Sequence, residues 1–373
     1  MKTKLIDVLD IKQASDGLEY AGAVLRAGGL VAFPTETVYG LGGDALNPNA
    51  AADIYKAKGR PSDNPLIVHI ADAEALSELA ERVPKQAERL MRALWPGPLT
   101  MIFEKKEQVP ETTTGGLQTV AVRMPDHPAA LELIRKAGCP VAGPSANLSG
   151  RPSPTRWEHV YEDLNGKIDV ILQSVPCRVG IESTVLDMTG EIPAILRPGI
   201  ITPQQIREIT GGEVVYDPAL LSTHAPAERA DSGAAGADSG TAERAGAAIS
   251  ETDRAQTLLE EASGPAPRAP GMKYRHYAPK ADMIIFSGEA EAVRRAMLTR
   301  RDAEEQSGKK VGLLLFEGGD TGLAAREFFA QLRALDADGS DLILAAALDT
   351  NDPVGFSVMN RMLKSAGYHI VYV

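Results

Sequence analysis

Two cysteines in 373 residues, Cys139 and Cys177, are too few and too far apart for a disulfide framework or a four-ligand zinc site. They read as ordinary reduced thiols. No apolar run approaches the roughly 18 residues of a membrane-spanning helix. The first twenty residues already carry Lys2, Lys4, Asp7, Asp10, Lys12, Asp16 and Glu19, so no secretory leader is expected and the expected location is cytoplasmic. Positive charge is also short: Lys and Arg total 39 against 50 Asp and Glu, a net of −11, with −4 over residues 1–210 and −7 over 211–373. General coating of nucleic acid is therefore disfavoured, and any phosphate chemistry must be local. There is no Walker loop, and Gly312, Gly318 and Gly319 do not fit the GxGxxG spacing. His69, His127 and His159 lack i, i+4 ligand spacing, and no Ser/His/Asp or Cys/His set can be assigned.

What is present is an alternation of short apolar runs with helical spacing. Asp16 with Glu19 resembles a capping box, Leu18, Ala21 and Leu25 follow a helical repeat, and Gly28-Gly29 makes a stop. Strands are expected at Leu30–Phe33, Leu66–Ile70, Leu99–Phe103, Val120–Arg123, Val141–Gly143, Val170–Leu172 and Ser183–Asp187, with helices near 50–57, 73–92 and 127–137. From 222 to 270, 28 of 49 residues are Ala, Gly, Ser or Pro, too little apolar surface to offset the entropy of ordering. Beyond it the same grammar returns, with strands at Met283–Phe286, Val311–Phe316, Leu342–Ala346 and His369–Val373 and helices near 289–306, 322–335 and 354–366. The reading is α/β: a twisted mixed sheet with helices over 1–215, a linker over 216–279, and a small βαβ sheet over 280–373.

Five segments place hydroxyls, small residues and cations at strand ends, where open α/β sheets keep their ligands. Phe33–Leu41 carries Thr35, Glu36, Thr37 and Tyr39. Lys56–Leu66 brings Lys56, Lys58 and Arg60 within five residues, ahead of Asn64 and a strand ending at His69. Cations so close repel unless an anion sits among them, and the planar fork of Arg60 suits phosphate oxygens. Thr119–Pro125 ends a buried strand on Arg123, a natural carboxylate partner. Ala142–Gly150, running on to Ser153, is small and polar enough for backbone amides to approach a ligand. Gly180–Val185 with Ile195–Gly199 adds Ser183 and Arg197. Together they suit an anionic small molecule held beside a polyphosphate, with chemistry by positioning and charge neutralisation.

Taken in order, FPTETVYGL, KAKGRPSDNPL, VRMP, PSANLSGRPSPT and IESTVLDMTG with ILRPG resemble the threonylcarbamoyl-adenylate synthase family, also called Sua5/YrdC/TsaC, and PGMKYRHYAP at 270–279 resembles the linker element of its long two-domain Sua5 form. The resemblance implies a YrdC-like catalytic domain followed by a Rossmann-like C-terminal one. It further implies an enzyme joining L-threonine, bicarbonate and ATP, with Mg²⁺ accompanying the triphosphate, into threonylcarbamoyl-AMP and pyrophosphate. That step leads toward the t6A modification at position 37 of tRNA, a separate transferase complex acting downstream and tRNA being met only indirectly. Carried over by position, Thr37, His69, Arg123, Gly143 and Ser183 would line a threonine pocket. Arg60, Asn64, Thr119, Ser145, Ser153, Arg197 and Tyr274 would hold ATP, with Lys56, Lys58 and Arg60 as catalytic cations. Family members have also been associated with double-stranded RNA. Two other readings are carbamoyl transfer, as in hydrogenase-maturation proteins, and a non-catalytic RNA-binding module. The first calls for paired CxxC motifs and the second for a basic, aromatic-studded face, against 5% aromatics here.

Overall fold

Short apolar runs become strands because pairing satisfies their backbone groups while side chains cover both faces. The computed structural model describes residues 2–222, 267–269 and 276–373. Among them lie β1 (Lys4–Asp7), β2 (Val31–Phe33), β3 (Gly40–Asp44), β4 (Ile67–His69), β5 (Leu99–Glu104), β6 (Thr119–Arg123), β7 (Val141–Ala142), β8 (Val170–Gln173), β9 (Thr184–Asp187), β10 (Ala194–Arg197), β11 (Val215–Tyr216), β12 (Asp282–Ser287), β13 (Val311–Leu314), β14 (Leu342–Ala346) and β15 (Ile370–Tyr372). The first eleven form a mixed sheet in the order β1-β8-β2-β3-β7-β4-β6-β5-β9-β10-β11. The last four form a parallel sheet in the order β13-β14-β12-β15. This is the α/β class read from the sequence.

Helices Ser15–Arg26 and Pro128–Ala137 cover one face of the large sheet, burying Leu18, Leu25, Leu133 and Ile134 against Val31, Phe33 and Val141. Ala32, on the other face of β2, belongs to a second core with Tyr39, Ile54, Leu66, Val68 and Phe103. In the small sheet, helices Thr321–Ala337 and Pro353–Ser365 bury Phe328, Phe329 and Met362 over Ile285 and Ile343. Helix Ala290–Gln306 buries Val293 and Met297 on the opposite face, over Ile284 and Leu344. At about 1.5–3 kcal/mol for each fully buried large apolar side chain, these contacts account for the helical spacing seen in the sequence. Val38 and Ile181, from loops of the large sheet, join the core of the small one, so the two sheets share an apolar contact.

The structure differs from the sequence reading in several places. The first helix has Ala14 at its N-cap with no side-chain cap, and Asp16 lies inside the first turn. Asp10 organises the entry instead, its carboxylate accepting from Lys12 and Gln13 and its carbonyl from Ala14. The single helix expected over 73–92 is a short turn at Ala73–Ala75, a helix at Leu76–Leu79 and a second helix at Lys85–Leu94. Pro84 separates the last two, because its ring cannot sit inside a continuous helix. β3 was hidden by its glycines, which read as a loop. A Cβ at Gly40 would come within 2.7 Å of the Phe33 ring, so the strand lies under that ring only because the side chain is missing.

Candidate active site

The β2–β3 connection folds on its own hydroxyls. Thr35 Oγ1 donates to the Val38 carbonyl at 2.6 Å and lies 2.9 Å from Thr37 Oγ1, and residues 35–38 are all buried. Arg123 reaches this turn from the end of β6. Its Nε donates to the Gly97 carbonyl at 3.2 Å, Nη1 to Thr37 Oγ1 at 2.9 Å, and Nη2 lies 2.6 Å from Glu36 Oε1. Opposite Arg123 in the β4–β6 register is His69, whose ring meets Phe33 edge to face with centroids 5.4 Å apart. Burial, reinforced by the Arg123 charge, pulls the His69 pKa down to about 3, so the imidazole is neutral at pH 7. Its Nδ1 is buried without a hydrogen-bond partner. A Cβ on Gly143 would stand 3.0 Å from Phe33 and 3.1 Å from that nitrogen, and the bare glycine is what opens the space beside them.

The other end of the cavity is cationic. Arg197 follows a register shift in the β9–β10 pairing between Ile195 and Arg197, a bulge that re-aims the side chain. Its Nε and Nη2 donate to the carbonyl and hydroxyl of Ser183, both at 3.1 Å, while that hydroxyl lies 2.7 Å from Thr100 Oγ1. Arg60 ties down its own loop by donating to the carbonyls of Asn64 (3.3 Å) and Pro65 (3.1 Å), and burial brings its pKa down to about 10. Glu182 is the carboxylate on the wall. Burial pushes it up, but Arg361, Arg197 and the Ser153 hydroxyl outweigh that and hold it below the ordinary carboxylate range. Tyr277, at a φ of 66°, packs its ring on Phe329 and closes the cavity with His276. The space left is about 50 Å³.

Of the residues given a threonine or ATP role by the resemblance, eight line this one cavity: Thr37, Arg60, His69, Arg123, Gly143, Ser145, Ser183 and Arg197. Ser153 stands behind the wall, donating to Glu182 Oε1 at 2.5 Å. Asn64 is fully buried, and both polar atoms of its amide lack partners. Thr119 shares a strand face with Ala121 and Arg123 but at the far end of β6. Ala269 covers that face, packed with Ile67, Ile102, Ala121 and Val185. Lys56 is exposed. Lys58 is buried, and its ammonium donates to the carbonyls of Ser145 and Asn147, so it fastens the small-residue loop and does not line the cavity. Tyr274 lies outside the described residues.

Two family models divide the chain. Residues 23–199 match that of the Sua5, YciO and YrdC proteins, described as telomere recombination, and residues 201–367 match the threonylcarbamoyl-AMP synthase C-terminal domain. The threonylcarbamoyl-AMP synthase of Pyrococcus abyssi is 43% identical over 366 residues, 95% of this chain and 96% of that one. That of Bacillus subtilis is 40% identical over the whole of both. The chain belongs to the threonylcarbamoyl-AMP synthase family. Members are enzymes of the nucleotidyl-transfer type, and the crystal structure of P. abyssi Sua5 complexed with L-threonine superposes with a TM-score of 0.83 at 41% identity, covering all of both chains. Among the described residues no helix is long and apolar enough to cross a membrane.

The sequence reading left out Glu182, His276, Tyr277 and Ile67, all on the cavity wall of this family member. Glu182 stands beside Ser183 in a segment already singled out, and its role shows only once Ser153 and Arg361 are seen to converge on it. His276 and Tyr277 fall within the 270–279 motif, where Tyr274 drew the assignment.

Proposed function

We propose that the chain condenses L-threonine, bicarbonate and ATP, taken as its Mg²⁺ complex, into threonylcarbamoyl-AMP and pyrophosphate, supplying the group that a downstream transferase places at position 37 of tRNA. The observation that carries this reading is the convergence of eight residues from five separate segments on one cavity with a hydroxyl-lined end and a cationic end. Threonine's carboxylate belongs at Arg123, beside Thr37 and Ser183, and its amine near neutral His69, which adds no positive charge there. A neutral amine attacks the bicarbonate carbon, water leaves and a carbamate forms. A carbamate oxygen then attacks the α-phosphorus of ATP and the bond to pyrophosphate breaks, with Arg60 and Arg197 balancing the charge that departs. Mg²⁺ enters with the triphosphate as part of the substrate.

The test is pyrophosphate release by the purified protein with Mg²⁺ and ATP, omitting L-threonine or bicarbonate in turn, with mass spectrometry of the nucleotide product. Release that needs both, together with the mass of threonylcarbamoyl-AMP, is the expected result. Release that needs neither, or no release under any condition, removes the reading.

A further inference from the structure

The inference rests on the nucleotide assignment just proposed and concerns what the C-terminal sheet does for it. Arg361, on helix Pro353–Ser365, is a long cationic side chain with no solvent exposure. Its Nε donates to Glu182 Oε2 at 3.1 Å and Nη2 to the Glu182 carbonyl at 3.4 Å, while Nη1 donates to the carbonyls of Pro198 and Ser357. One guanidinium thus joins the loop entering β9 to the turn leaving β10, directly beside Arg197. Ser357, one turn earlier on the same helix, donates to the Gly199 carbonyl at 2.9 Å and doubles the attachment. The second oxygen of Glu182 takes the Ser153 hydroxyl, so the fixation passes on to the small-residue loop. That loop has its own clamp: Arg333 of helix Thr321–Ala337, 4% exposed, donates twice to the Pro152 carbonyl and to Asp163 Oδ2 at 2.8 Å.

A buried guanidinium paired with a carboxylate and carbonyls contributes little net stability compared with apolar packing, because desolvation cancels most of the attraction. Its advantage lies in directional geometry: a planar fork fixes two carbonyls and a carboxylate at once. Both arginines grip backbone next to residues assigned to ATP, Ser153 in one case and Arg197 in the other. We infer that Arg361, supported by Arg333, is a positioning residue for the nucleotide half of the site, so that the C-terminal domain completes the ATP-binding geometry of the domain before it.

The test uses the full chain and the variants Arg361→Gln and Arg361→Lys, with KM for ATP and for L-threonine from pyrophosphate release and the ATP Kd from calorimetry without threonine. Arg361→Gln is expected to raise KM and Kd for ATP by about tenfold or more while KM for threonine stays within about threefold, and Arg361→Lys to recover part of the loss. Ser153→Ala in the Arg361→Gln background should add little to either change alone, since both act through Glu182. An Arg361→Gln protein that folds by circular dichroism and keeps all three constants overturns the inference, whatever its melting temperature. If Arg361→Gln does not fold, Arg361→Lys keeps the charge and loses the fork, and an unchanged ATP Kd there overturns it equally. A wild-type chain that neither binds ATP nor releases pyrophosphate overturns the synthase reading, and the inference with it. A wild type that does both beside an unaffected variant overturns the inference alone.

Discussion

Arg60 is held by the carbonyls of its own loop, so its guanidinium plane is fixed before any ligand arrives. A charge-assisted contact to phosphate from such a side chain is worth about 1.5–3 kcal/mol. Arg60→Ala should therefore lower kcat/KM for ATP by about ten- to a hundredfold with KM for threonine within about twofold, and steady-state kinetics at varied ATP that show no change would remove Arg60 from the nucleotide. Gly143 argues for the other half. Its missing Cβ leaves the space beside Phe33 and His69, and Gly143→Ala would push on both rings. The expected outcome is a rise of about tenfold in KM for threonine and a stability loss of about 1–3 kcal/mol, read from urea unfolding. At this scale the cavity was legible where a polar residue sits at the end of a recognisable strand, as with His69, Arg123 and Arg197. It was not legible where the partner comes from another part of the chain: nothing in the spacing of Glu182 points to Arg361, 179 positions away.

Elements were legible in proportion to their apolar period. Helices Ala290–Gln306, Thr321–Ala337 and Pro353–Ser365 fall where the spacing places them, within a residue or two, because each buries a stripe on a parallel sheet. β1, β3 and β11 were invisible for different reasons. β1 buries one residue in four, β3 is mostly glycine, and β11 has two residues. The break at Pro84 was legible in principle and was outweighed by the run of Leu and Ala around it. Helix Pro48–Lys58 shows how an element serves the site. Asn47 caps its start through Asn49 N, and Gly59 ends it in the left-handed region at φ 61°, turning the chain so that Lys58 points inward and Arg60 begins the next loop. Gly59→Ala meets no steric contact, so its cost is the backbone strain alone, about 1 kcal/mol. A urea midpoint lower by that amount, with kcat retained, is expected; an unchanged midpoint would show that the turn does not depend on the glycine.

The whole molecule ties its two sheets together with buried charges, and that ties its stability to pH. Burial, with Arg123 beside one ring and Arg333 beside the other, brings the pKa values of His69 and His159 to about 3, and burial also lowers His127. In the unfolded chain these imidazoles take up protons near 6.5, whereas the folded form does so only near 3 for the first two. Between those values the unfolded chain binds more protons, so stability rises with pH across that window and these groups add no slope above it. The slope is at most about 1.4 kcal/mol per pH unit for each imidazole. His159 has a further consequence, because it accepts from Thr155 N at 3.3 Å and lies beside Arg333, which grips Pro152 and Asp163 from the C-terminal domain. A proton on His159 would repel Arg333, a repulsion that the Asp163 carboxylate offsets only in part, so beside burial that charge keeps the folded form from taking the proton until near 3. Urea midpoints measured between pH 7 and 4.5 should fall as pH falls, and His159→Gln should make the fall shallower. Equal slopes for wild type and variant would mean that folding does not lower the His159 pKa.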